Sequence, residues 1–112
     1  MVDVDAVVDK IVRVYSKYID EELDLYMGNR YLLVAIENLI HEYRAGFLSR
    51  DELEAIARNL RDKIVEGPGS ANPFVMEVLG IIEEGASQEN ISEALELSKR
   101  LFKEDRFDKI EV

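Results

Sequence analysis

An all-α fold, an up-and-down bundle of four to five helices in one domain, is what this sequence predicts, on three observations. Apolar residues recur at three- and four-residue spacings from Val4 to Phe102. Each such run is closed by a glycine, a proline or a capping residue. No segment has the strict alternation or the turn-bounded, β-branched character of a strand. With 112 residues, 47% of them hydrophobic, the chain has the size and the material for a single core.

The first helix is expected over about residues 4–27, with Asp3 as N-cap and Gly28 as the left-handed residue after its end. Its apolar positions, from Val4, Val8 and Ile11 to Tyr26, cover about half the circumference. At 1.5 Å per residue such a helix is roughly 35 Å long. That is long for so small a chain, and a second subunit is expected to cover part of it. Glu22 projects into the middle of this apolar arc, where a carboxylate must be paired, protonated or able to reach water. Paired, it is an interface residue facing an arginine across a dimer.

The second helix, 30–45, runs between the Gly28-Asn29 corner and Gly46. Its wide arc of Tyr31, Leu32, Leu33, Ile36, Leu39, Ile40 and Tyr43 predicts a central position. Ser49 and Glu52 form a capping box, with Leu48 and Leu53 as hydrophobic staple, and they open the third helix, 50–66. Its narrow stripe of Leu53, Ile56, Ala57, Leu60 and Ile64 places it on the surface. Gly67-Pro68-Gly69-Ser70-Ala71 reads as a linker, and Asn72-Pro73 starts the fourth helix, 73–84, with a cap and an N1 proline. From Phe74 to Ile82 only Glu77 and Gly80 are not apolar, so this helix must be covered on most sides, in the bundle or at an interface. Phe74, Met76 and Ile81 are therefore candidate interface residues. Ser87 caps the fifth helix, 88–104, and the chain is expected to fray beyond Asp105.

Composition excludes several classes. With no cysteine there are no disulfides, thiolate nucleophiles or sulfur-ligated metals. No apolar run reaches the ~20 residues of a membrane span, and Met1-Val2-Asp3 does not open a signal peptide, so a cytoplasmic location away from membranes is expected. Charged residues at 34%, with a single glutamine, lean toward a thermophile. A net charge of -10 opposes binding to DNA or anionic lipid. The acid is localised: residues 67–90 hold four acidic residues and no basic one.

Residues able to carry chemistry are few. His41, the one histidine, lies one turn after Glu37, and with Arg30 and Arg44 these side chains face away from the apolar arc. They read as a solvated face, and neither histidine-dependent catalysis nor any cofactor is expected. Asp20, Glu21, Glu22 and Asp24 form the densest acidic cluster. All-helical nucleotide pyrophosphatases hold Mg²⁺ between paired acidic motifs on two neighbouring helices. Glu21 and Asp24 resemble one such pair, whereas the second helix offers only Glu37 and Glu42, five residues apart.

Residues 79–103 resemble the helix-turn-helix of transcription regulators and recombinases. Gly85, Ser87, Ile91, Leu95, Leu97, Ser98 and Phe102 fall in that register, with Glu96 where the pattern carries a turn glycine. The resemblance implies a recognition helix on or just after which Lys99, Arg100, Lys103 and Arg106 contact DNA. The same residues also read as one unbroken helix, with Glu96 an ordinary interior position. The reading favoured by the whole sequence is a small acidic protein-interaction module without catalysis: an adaptor, assembly subunit or inhibitor, homodimeric through its first or fourth helix. A helix-turn-helix DNA-binding regulator is the alternative, and a Mg²⁺-dependent nucleotide hydrolase a weaker one.

Overall fold

A computed structural model describes residues 2–67, 71–105 and 107. Five α-helices pack against one another, and no strand occurs among the described residues, so the chain is an all-α bundle. Helix α1 spans Val4–Ser16, capped by Asp3, whose carboxylate accepts from the Ala6 N–H at 3.1 Å. It buries Val8, Ile11 and Tyr15.

The expected 24-residue first helix is not formed. After Ser16 the chain widens into a π-helical turn, Lys17–Glu21, in which the Glu22 N–H reaches back to the Lys17 carbonyl at 3.1 Å. Leu23 then adopts a left-handed φ of +52°, and Asp24 caps a new helix by accepting from the Met27 N–H at 2.9 Å. Helix α2 thus spans Leu25–Arg44, starting five residues before the expected boundary. Gly28, expected to end the first helix, lies inside α2 for a different reason. A Cβ there would sit 2.8 Å from Ile19 Cδ1 and 3.4 Å from Tyr15 Cε1, so the glycine lets the end of the first helix press onto α2. The 35 Å helix, and the case for a second subunit that its length carried, therefore fall away.

Downstream, local signals translate into structure. Gly46, at φ +88°, closes α2 in a Schellman motif: its N–H reaches the Tyr43 carbonyl, and the Phe47 N–H reaches that of Glu42. Helix α3, Arg50–Glu66, carries both halves of the capping box, Ser49 Oγ accepting from the Glu52 N–H and Glu52 Oε1 from the Ser49 N–H. Its buried residues are the expected stripe of Leu53, Ile56, Ala57, Leu60 and Ile64. Of the linker, residues 68–70 lie outside the described residues. Helix α4, Pro73–Glu84, buries Val75, Val78, Leu79 and Ile82 against α3 and α5. Helix α5, Gln88–Glu104, buries Ile91, Ala94, Ser98 and Leu101.

Helix α2 touches every other helix, as its wide apolar arc demands. Its polar ties are few and specific. Buried Asn29 donates to the Leu25 carbonyl and accepts from the Asn72 N–H at 2.7 Å, fixing the start of α4 to the start of α2. Glu37, expected on a solvated face, is half-buried and accepts from the buried Ser98 hydroxyl at 2.6 Å, joining α2 to α5. Of the segment after Asp105 where fraying is expected, positions 106 and 108–112 lie outside the described residues, and Phe107 is packed. Phe107 is 1% exposed, edge-on to Tyr26 at 5.9 Å and against Phe102 at 5.1 Å, while Tyr26 Oη donates to Asp105 at 2.6 Å. Among the described residues no helix is long and apolar enough to cross a membrane.

Candidate functional site

The apolar content of α4 exceeds what its neighbours cover. Packing on α3 and α5 takes one side of the helix; the opposite side, at positions 73, 77, 80 and 84, lies one above another at helical spacing. There an open groove of about 720 Å³ runs along the helix, lined by Pro73, Met76, Glu77, Gly80, Ile81 and Glu84, with Arg61 and Glu83 at one edge. Arg61 donates to Glu83 at 2.7 Å, which closes that edge with an ion pair. Glu77 and Glu84 form no ion pair among the described residues. Gly80 sits at the centre: apart from its chain neighbours and its own helix backbone, no heavy atom among the described residues lies within 4 Å of where its Cβ would be.

The interface residues expected from sequence distribute unevenly around this groove. Met76 and Ile81 line it, both half-buried. Phe74 does not; it borders a separate small cleft with Leu97, Arg100, Leu101 and Glu104. Glu22 is elsewhere, exposed in the turn between α1 and α2, because the break at Leu23 removes it from the apolar arc. Sequence reasoning passed over Gly80, Glu77 and Glu84. Their signal was a mid-helix glycine flanked by carboxylates at i−3 and i+4 on one face.

A second exposed apolar surface runs along α2. Leu23 is 82% exposed, Met27 40% and Val34 42%. Half-buried Tyr31 lies among them, its ring 6.0 Å from that of Tyr18. Burial pushes the Tyr31 hydroxyl upward in pKa, and burial together with nearby Asp20 does the same, more strongly, to Tyr15 beneath.

The residues of the two alternative readings are placed as follows. Helix α5 is unbroken from Gln88 to Glu104, so the turn at Glu96-Leu97 that a helix-turn-helix requires is absent. Lys99, Arg100 and Lys103 are exposed on this helix beside Glu96, and Arg106 lies outside the described residues. In the acidic cluster, the Asp24 carboxylate is engaged as the α2 cap, and Glu37 is engaged with Ser98. Among the described residues, no three of His, Asp and Glu gather as a group able to hold a metal ion. His41 is exposed in the last turn of α2.

The carboxylates that are electrostatically perturbed serve the fold. Glu54 is held below its ordinary pKa chiefly by the Ala86 N–H, which donates at 2.7 Å, and also by Arg50. This bond ties the α4–α5 turn to α3. Glu52 is lowered by the Ser49 N–H and by the Val2 N–H, which reaches it at 2.9 Å. Comparison with known protein families, characterised proteins and solved structures yields no match.

Proposed function

We propose that the chain is a small acidic protein-interaction module, an adaptor, assembly subunit or inhibitor, that docks another protein against α4 and performs no catalysis. The observation that carries this reading is the open groove over Gly80 with its apolar shoulders Met76 and Ile81. Apolar side chains flanking a bare stretch of helix backbone suit an incoming helix better than a small molecule, because the groove is not enclosed. The test is a photoreactive side chain placed at Glu77 of the full chain in the cells that make it. A single adduct of defined mass is expected at Glu77, lost on Met76→Asp, with none from the same label at exposed Asp51 on α3. Equal labelling from both sites, or none from Glu77, sinks the reading.

Self-association is a second reading, and the Leu23–Met27–Val34 strip favours it. Such a dimer uses the π-turn and α2 rather than a long first helix. Sedimentation equilibrium reads it directly: a dimer that becomes monomeric on Met27→Asp with Val34→Asp is expected. A wild-type monomer at high concentration would rule it out.

A further inference from the structure

We infer that the α4 groove takes a basic amphipathic helix of a partner protein, an inference that rests on the interaction reading above. Gly80 is the first argument. It is helical, takes no left-handed φ, and meets nothing where a side chain would project, so the fold itself has no use for a glycine there. Glycine weakens a helix interior relative to alanine. What it provides is one bare backbone position, in line with Glu77 and Glu84, at which a second helix can seat closely between Met76 and Ile81. Methionine adapts its shape to an incoming surface. Helix α4 has 12 residues, about 18 Å at 1.5 Å per residue, which matches roughly three turns of a docked helix.

Charge selects the occupant. Residues 73–84 carry Glu77, Glu83 and Glu84 and no basic residue, and the one cation lining the groove among the described residues, Arg61, is already paired with Glu83. Glu77 and Glu84 thus present charge along the groove without a counterion among the described residues. A second copy docking by its own α4 would set carboxylate against carboxylate. Nucleic acid and anionic lipid meet the same repulsion. A helix with a row of lysine or arginine to meet Glu77 and Glu84, and apolar residues on either side of that row to meet Met76 and Ile81, satisfies both the acidic centre line and the apolar shoulders.

The experiment uses the full chain and two synthetic peptides of roughly 16 residues, long enough to hold helix. They share two rows of leucine, with the row between them lysine in one and glutamate in the other. Fluorescence anisotropy is expected to show the lysine peptide binding at least about tenfold tighter. That preference should shrink when salt rises from about 0.1 to about 1 M, since the Debye length falls from ~10 to ~3 Å. Gly80→Leu fills the seat with a better helix former and is expected to abolish binding without lowering the melting temperature. Glu77→Gln with Glu84→Gln is expected to weaken the lysine peptide about fivefold, each ion pair being worth a few-fold at an exposed site. Equal binding of both peptides, lost on Gly80→Leu, overturns the basic partner while leaving the interaction module intact. Lysine-peptide binding that survives Gly80→Leu places the contact elsewhere and overturns the inference. So does a groove occupied by a second copy, seen as a dimer dispersed by Gly80→Leu, or the failure of both peptides to bind.

Discussion

Replacing Gly80 by alanine should make this protein more stable, which is unusual for a change at a half-buried core-flanking helix position. Beyond its chain neighbours and its own helix backbone, the added methyl meets no heavy atom within 4 Å among the described residues, so no clash offsets the gain. The backbone there is ordinary helix, so the gain is the helix-propensity difference between glycine and alanine, about 0.8–1 kcal/mol. With a urea m-value of about 1.5 kcal/mol/M, that moves the unfolding midpoint up by about 0.6 M. Circular dichroism at equilibrium in urea measures it, with an unchanged slope showing that stability alone has altered. Gly28→Ala is the internal control. It carries the same propensity gain, but its methyl would lie 2.8 Å from Ile19 Cδ1 and 3.3 Å from Tyr18 Cβ. Overpacking of this kind costs about 1–3 kcal/mol, which offsets or exceeds the gain. A lower midpoint for Gly80→Ala would refute the bare face of α4, and an equal rise in both substitutions would refute the tight seat of Gly28.

Three further outcomes are expected. Asn29→Ala removes the buried acceptor of the Asn72 N–H and should cost about 1–3 kcal/mol, read as a lower urea midpoint; a change below about 0.5 kcal/mol would show that the bond between α2 and α4 is dispensable. Ser98→Ala deletes a hydrogen bond to the Glu37 carboxylate at 2.6 Å and should cost about 1–2 kcal/mol; little further loss should follow from adding Glu37→Ala, which a double-mutant cycle measures. Glu54 is depressed below its ordinary 4.5, so its contribution to stability is present above that pH and lost as pH falls below it through the lower folded value. Glu54→Gln should therefore flatten the acid side of the stability–pH profile, and an unaltered slope would show that the Ala86 N–H does not depend on that charge.

The elements legible in the sequence are those whose signal is local. Ser49 and Glu52 sit three residues apart and meet across a single turn, so the start of α3 needs no knowledge of the rest of the chain. The same holds for Gly46 at the end of α2 and for Asn72-Pro73 and Ser87 at the starts of α4 and α5. The break between α1 and α2 was not legible, because the apolar period continues through Leu23, Leu25 and Tyr26 as though one helix ran on. Asp24 carried a capping signal there, but an aspartate among three other acids does not announce itself. Phe107 escaped for a related reason: its burial depends on Tyr26, 81 positions away in the chain. In the candidate site, Met76 and Ile81 were legible as excess apolar surface on a short helix, whereas Phe74 was assigned to the same surface and faces another cleft.

By itself, then, the amino-acid order determined an all-α bundle of five helices, the caps that open the last three of them, the stripe that α3 buries and the localised acid of residues 67–90. These follow from 3.6-residue periodicity and from hydrogen bonds spanning three or four positions. Only the tertiary structure decided where the first helix folds back, since that depends on whether Tyr15 and Ile19 find Gly28 to press against. It also decided which side of an almost wholly apolar α4 is left uncovered, because α3 and α5 had to take their places before the face over Gly80 could remain open.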